Sequence, residues 1–255
     1  MADMTDDLVR YACGAGVARI VLARPAQANA VDLPTAHAFA AAVDRAADPD
    51  VRAVLVRGEG RRFCAGGDVT AMAAALDRAA YLEELAGTLD LALQRLAALD
   101  KPVVAAVQGA VAGAGLALML SCDVIVSAAS TKFLLAYADA GLTPDCGVSY
   151  LLPRAIGQQR ALGLALTGRT LTAEEAAAWG LINEVADDAA LGDRALRLSE
   201  QLAAGPAFAL GRTKHLMRTG WNTTREERGR EEAQVISEAV TTPEATTIIE
   251  SFSRP

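Results

Sequence analysis

Apolar residues recur at alternate positions from Leu8 to Ala12 and again from Val17 to Leu22, and Gly14-Ala15-Gly16 separates the two runs. This pattern predicts a hairpin of two strands at the start of the chain. After Arg24-Pro25 comes a loop holding Gln27, Ala28 and Asn29, then an alanine-rich stretch from about Leu33 to Ala47 with helical spacing, stopped near Asp48-Pro49. Arg52 to Arg57 alternates as a strand. A glycine-punctuated loop, Gly58 to Gly67, leads into helical segments that end with the leucine-rich run Tyr81 to Leu99.

A second strand-loop-helix unit follows: a buried strand Val103 to Val107, a loop Gln108 to Gly113, a short apolar helix from Ala114, and a strand at Asp123 to Ser127. From Tyr150 the pattern is mostly helical. Thr172 and Glu175 have the spacing of a capping box, and Ile182 to Val185 reads as a last short strand. Helices near Leu191 to Ala204, Pro206 to Arg218 and Thr223 to Val240 then follow without a linker-like segment. Strand-then-helix order in the first part predicts an α/β fold. The chain divides into a core over 1–190 and a helical region over 191–255, as one continuous domain without an internal repeat of fixed length.

The stretch Val103 to Cys122 carries no formal charge, and Gly109 to Gly113 has the spacing of a membrane-helix contact. Pro102, Gln108 and the glycines interrupt it, its first half suits a strand, and the rest of the chain is patterned for water, so no membrane span is expected.

Composition narrows the picture further. A chain of 255 residues with 52% hydrophobic content can fill a real core. Its net charge of -7 argues against sequence-independent binding of nucleic acid or an anionic membrane. Cys13, Cys64, Cys122 and Cys146 are scattered, without a CxxC pair, and only His37 and His215 are available, so neither a disulfide framework nor a metal site is indicated. Met1 to Asp7 holds three aspartates and no apolar core of a secretory signal, which makes the cytoplasm the expected location.

Chemistry is expected in two loops that each lie between a strand and a helix: Arg62-Phe63-Cys64-Ala65-Gly66-Gly67-Asp68 and Gln108-Gly109-Ala110-Val111-Ala112-Gly113-Ala114-Gly115. Such loops present free backbone N–H groups, and a helix beginning near Ala114 adds its positive end. Glycines serve tight turns and close packing equally well. Neither loop has the glycine order of a dinucleotide site or a phosphate-binding lysine.

These pieces, in this order, resemble the crotonase (enoyl-CoA hydratase/isomerase) superfamily. The resemblance runs from about Ile20 to Lys214 and includes Asn29-Ala30, Gly58-Glu59-Gly60, Phe63 to Asp68, Lys101-Pro102-Val103 through Gly115, and Cys122-Asp123. It continues through Lys132-Phe133, Gly141-Leu142-Thr143-Pro144, Leu152-Pro153-Arg154, Leu166-Thr167-Gly168, and Ala173 to Ile182. It implies an α/β crotonase (ClpP-like) spiral of strand-strand-helix turns with a helical C-terminal trimerisation region, assembled as a homotrimer or hexamer. The implied substrate is an acyl-CoA thioester, with no further cofactor. Carried over by position, the two amides that stabilise the thioester enolate fall on Ala65 and Ala114. Substrate contacts fall on Arg24, Gln27, Ala28, Gly66, Gly67, Asp68, Val69, Gly113, Tyr137, Leu142 and Pro144. Arg24, Lys132 and Lys214 are candidates for the CoA phosphates, whereas Asp68 and Asp123 are expected to bond nearby backbone.

The resemblance also bears on the reaction. The two glutamates by which hydratases of this family position water fall on Ala117 and Tyr137, neither of which is a carboxylate. A different acid, Asp145, lies in the segment Gly141-Leu142-Thr143-Pro144-Asp145-Cys146-Gly147, as in ring-epoxide phenylacetyl-CoA isomerases and some 3-enoyl to 2-enoyl-CoA isomerases. Asp145 is therefore the expected acid/base of an isomerase, although an Asp after Pro144 also suits a turn or a helix N-cap. The alternatives are a hydratase or hydrolase in which Asp145 activates water, an aryl-CoA dehalogenase in which it is the nucleophile, and a non-catalytic acyl-CoA-binding protein. Tyr137 suits packing or a hydrogen bond, and nothing in the sequence marks Cys146 as a reactive thiol.

Overall fold

The computed structural model describes residues 8–252; the aspartates of the first seven residues lie outside them. The hairpin is formed by β1 (Val9–Gly14) and β2 (Val17–Leu22), antiparallel, with Ala15 and Gly16 both at positive φ in the turn. Then come α1 (Leu33–Ala46), β3 (Ala53–Gly58), α2 (Val69–Ala74) and α3 (Arg78–Ala98). The Asp32 side chain caps α1 by accepting from the Thr35 amide at 2.9 Å, and Asp77 caps α3 through Ala80.

The next unit is β4 (Val103–Val107), β5 (Ala110–Ala112), α4 (Ala114–Leu120), β6 (Val124–Ala128) and β7 (Lys132–Leu134). The sequence pattern predicts only a loop where β5 lies, because three residues are too few to show alternation. Beyond it are α5 (Val148–Ile156), α6 (Gln158–Thr167), β8 (Leu171–Thr172), α7 (Ala173–Ala178) and β9 (Glu184–Ala186). Thr172 and Glu175 form the expected capping box. The chain closes with α8 (Leu191–Ala203), α9 (Ala207–Thr219), α10 (Arg225–Ala239) and α11 (Pro243–Phe252), the last not anticipated from the sequence pattern.

The strands form two sheets, one in the order β1-β2-β3-β4-β6-β9, parallel after the first pair, and one in the order β5-β7-β8. Each turn of the chain contributes a strand to the large sheet, an extended segment to the small one, and a helix. This is the expected α/β succession of strand, strand and helix. The large sheet is covered on both faces, which is why β3 and β4 read as unbroken apolar runs. Alternate residues Ile20, Val54, Val56, Ala105 and Val107 pack against Phe39, Val43, Leu89, Leu93 and Leu96 of α1 and α3. The intervening Leu55, Val104, Ala106 and Val126 pack under Leu191, Ala195 and Ala203 of α8. Each fully buried Val, Leu, Ile or Phe among them contributes about 1.5–3 kcal/mol. Among the described residues no helix is long and apolar enough to cross a membrane, and the charge-free stretch from Val103 is divided into β4, β5 and α4.

The small sheet continues past its named strands. Cys64 bridges Val111 of β5, and Gly67 bridges Val31, both in parallel. Between these two bridges, at Ala65 and Gly66, the chain leaves one neighbour for the other. Gly66 makes the bend at φ 104°, a conformation that only glycine adopts without strain.

Candidate active site

The bend is held from one side by the loop between β2 and α1. Asn29, 1% exposed, accepts from the Arg24 amide at 2.9 Å and donates to the carbonyls of Glu59 at 2.9 Å and Arg62 at 2.7 Å, stapling this loop to the one that follows β3. So held, the loop offers its main chain to the bend. The Ala65 amide donates to the Ala28 carbonyl at 3.1 Å, the Val31 amide to the Gly66 carbonyl at 2.8 Å, and the Asp68 amide to the Val31 carbonyl at 2.9 Å.

This pairing corrects one expectation. The Ala65 N–H is engaged by Ala28 and cannot also face a ligand. In a parallel bridge the residues flanking the bridged one make the bonds to the neighbour, so the bridged residue's own amide points to the opposite side. Here that amide belongs to Gly67, and it meets no carbonyl among the described residues. The Ala114 amide, at the first position of α4, is likewise without a partner there. Ala114 has negative φ, as an alanine at this place requires.

The two loops touch. A Cβ on Gly66 would stand 3.5 Å from Gly113 Cα, and a Cβ on Gly115 would stand 2.3 Å from the Cys64 carbonyl oxygen, so the turn into α4 packs on the bend as closely as a bare backbone allows. Both free amides border one cleft of about 300 Å³.

Of the expected site residues, Ala65, Gly66, Gly67, Val69, Gly113, Ala114, Tyr137, Leu142 and Asp145 line this cleft, and Arg24, Gln27, Ala28, Asp68 and Pro144 do not. Ala28 acts instead by accepting from Ala65. Gln27 and Pro144 are exposed outside the cleft. Arg24 is not available to a phosphate: its guanidinium bonds the Ala30 carbonyl, Asp32 at 3.1 Å and Asp68 at 3.0 Å. Lys214 is withdrawn too, with a side chain 7% exposed, paired with Asp123 at 2.9 Å and bonded to the Lys101 carbonyl at 3.0 Å. Burial, opposed by Asp123, draws its pKa below the ordinary lysine value. Lys132 alone of the three stands exposed, outside the cleft.

Asp68 and Asp123 behave as expected. Asp68 caps α2 through the amides of Thr70 and Ala71, and Asp123 accepts from the Val103 amide at 2.8 Å. Although burial opposes it, the Ala71 and Thr70 amides and the Arg24 guanidinium hold the Asp68 carboxyl below the usual range.

Asp145 is half-buried on the cleft wall, and its side chain accepts from Tyr137 Oη at 2.7 Å. The N-cap of α5 is Gly147, without a side-chain cap, so Asp145 is not the helix cap that was the alternative to an acid/base role. Burial, and then the negative Asp145, raise the Tyr137 hydroxyl above the ordinary tyrosine value, so it remains a donor. The same two causes raise the neighbouring Cys146 thiol, which disfavours a thiolate. A further wall comes from α2 and α3: Met72, Leu82, Leu85, Ala86 and Leu89, with the Glu83 carboxylate exposed among them and the Ala86 carbonyl 3.8 Å from Cys146 Sγ. Sequence reasoning missed this wall, since leucines at helical spacing read only as core. Among the described residues no group of His, Cys, Asp and Glu is placed to hold a metal ion.

A mostly apolar cleft with two unpaired main-chain donors and one oriented carboxylate can polarise a carbonyl and move a proton beside it. Similarity to known proteins agrees with a thioester site. The family model described as enoyl-CoA hydratase/isomerase matches residues 12–253. The chain is 40% identical to 1,2-epoxyphenylacetyl-CoA isomerase of Escherichia coli (strain K12), over 82% of this chain and 81% of that protein. It is 33% identical to 4-chlorobenzoyl coenzyme A dehalogenase-2 of an Arthrobacter species, over 89% and 84%. The crystal structure of an enoyl-CoA hydratase from Mycobacterium smegmatis matches with a TM-score of 0.90 at 28% identity, over 97% of this chain and 96% of that one. Proteins named as an isomerase, a dehalogenase and a hydratase are thus similar to this chain, and the chain belongs to the enoyl-CoA hydratase/isomerase family of enzymes acting on CoA thioesters.

Proposed function

We propose that the protein is an acyl-CoA isomerase. Asp145 removes a proton from a carbon next to the thioester carbonyl or conjugated with it and returns it to another, while the amides of Gly67 and Ala114 hold the enolate oxygen. The observation that carries this reading is Asp145 itself: a carboxylate on the wall of the cleft that holds the free amides, turned away from helix capping and oriented by Tyr137. Negative charge develops on the thioester oxygen only as the proton leaves, so main-chain donors fixed in advance favour the transition state over the bound substrate. Buried Ala117 and the phenol of Tyr137 leave the hydratase pair of acids unfilled. The proton shuttle is redox-neutral and needs no cofactor beyond the CoA of the substrate.

Hydration is the second reading, favoured by Glu83, the other carboxylate that lines the cleft. One experiment separates the two. In deuterated water with a series of unsaturated acyl-CoA esters, isomerisation places deuterium on carbon without a gain of water, hydration adds water, and Asp145→Asn abolishes either. A wild-type protein that binds CoA esters yet neither exchanges nor converts any of them is not an enzyme of this kind.

A trimer or dimer of trimers in the cytoplasm belongs to the same proposal. Exposed Met217, Trp221, Ile236, Val240 and Phe252 on the last helices support packing against a second copy, which light scattering after size-exclusion chromatography tests.

A further inference from the structure

Tyr137 and Asp145 stand at the two ends of one loop, and the tyrosine holds that loop twice. Its carbonyl accepts from the Ala140 amide at 3.0 Å and the Leu142 amide at 2.9 Å, and its hydroxyl donates to Asp145 Oδ1 at 2.7 Å. The ring also rests on the turn that carries the Ala114 amide, since a Cβ on Gly113 would lie 3.9 Å from Tyr137 Cζ. Oδ1 is thereby engaged by a strong donor that keeps its proton, and the remaining side-chain contact to the carboxylate is the weakly donating Cys146 thiol, so Oδ2 is the oxygen open to the substrate.

We propose that Tyr137 is a positioning residue that makes Asp145 a one-oxygen proton carrier, with Oδ2 both taking the proton and returning it; the proposal rests on the isomerase reading above. In a 3-enoyl thioester the C2–H bond breaks as Oδ2–H forms, and the electron pair passes into the dienolate held at the thioester oxygen. The C4–H bond then forms as Oδ2–H breaks, and the double bond has moved from C3–C4 to C2–C3 with nothing else consumed. A single oxygen on one side of the acyl chain delivers the proton to the face from which it was taken. Part of a label at C2 therefore arrives at C4 of the same molecule.

The test uses 3-octenoyl-CoA carrying deuterium at C2, with the wild-type protein, Asp145→Asn, Tyr137→Phe and a variant with fluorotyrosine at position 137. Wild type is expected to convert the ester with part of the label carried to C4, and Asp145→Asn to lose conversion. In Tyr137→Phe, kcat falls about tenfold while KM stays within about twofold, and the share of label carried to C4 falls by about half or more, because the carboxylate is no longer held by one oxygen. Fluorotyrosine, a stronger donor at the same place, retains the wild-type label share and KM, and it carries the test should Tyr137→Phe fail to fold. A label share and kcat unchanged in folded Tyr137→Phe, or a label share lost in the fluorotyrosine variant, overturns the role of Tyr137 and leaves the isomerase standing. A wild-type protein that converts none of the ester overturns both.

Discussion

Arg24 Nη2 stands 3.0 Å from Asp68 Oδ2, and the same carboxylate caps α2 with its other oxygen. The guanidinium that the sequence offers to a phosphate instead ties the loop before α1 to the residue that follows Gly67. Arg24→Met is therefore expected to destabilise the protein by about 2–3 kcal/mol near neutral pH, because it leaves partly buried acids without their cation. The folded Asp68 carboxyl lies below its ordinary value of 3.8, so its contribution is complete above that value and fades as pH falls through the folded one. Denaturant titrations should show the gap between wild type and variant closing below about pH 4, with KM for CoA esters within about twofold of wild type. A gap that widens on acidification contradicts the assignment.

Asp123 gathers the Val103 amide, Lys214 at 2.9 Å and Arg218 at 2.7 Å, and so fastens α9 to the start of β4. Asp123→Asn leaves two cations facing a neutral group, at a cost of about 3 kcal/mol in an unfolding titration. Lys214→Met, tested alongside, should also lower stability while leaving the affinity for CoA and for CoA without its ribose phosphate in the wild-type ratio. A selective loss of the phosphorylated form would instead return Lys214 to the phosphate site.

Gly67 is expected to act through its N–H alone. Replacing that peptide by an ester, with glycolic acid incorporated at position 67, should slow turnover about a hundredfold. Gly67→Ala keeps the N–H, and its Cβ would meet only the end of the flexible Met72 side chain, so kcat should stay within about tenfold of wild type. The control is the same ester at Ala65, which removes the bond to Ala28. If the Ala65 ester slows chemistry at unchanged stability while the Gly67 ester does nothing, the donor is Ala65 after all.

Much of the fold was legible because its signals are local. Alternation marked β1, β2 and β3, an unbroken apolar run marked β4, and the side chains of Thr172 and Glu175 announced their capping box. The acid was legible as well, since Asp145 sits in a loop whose residues resemble those of known isomerases. What could not be read depended on partners distant in sequence. Whether Ala65 or Gly67 keeps a free N–H is decided by the carbonyls of Ala28 and Val31, brought there by Asn29. Whether Arg24 and Lys214 remain available is decided by Asp68 and Asp123. The leucines of α3 serve the core and the cleft at once, and helical spacing cannot tell those duties apart.

Because the free donors beside the cleft are main-chain groups, they leave no trace in a screen of side chains. Position 114 is already alanine, and an alanine at position 67 keeps the N–H. An alanine scan of the cleft would thus single out Tyr137 and Asp145, pass over Gly67 and Ala114, and credit the whole site to the half that side chains build.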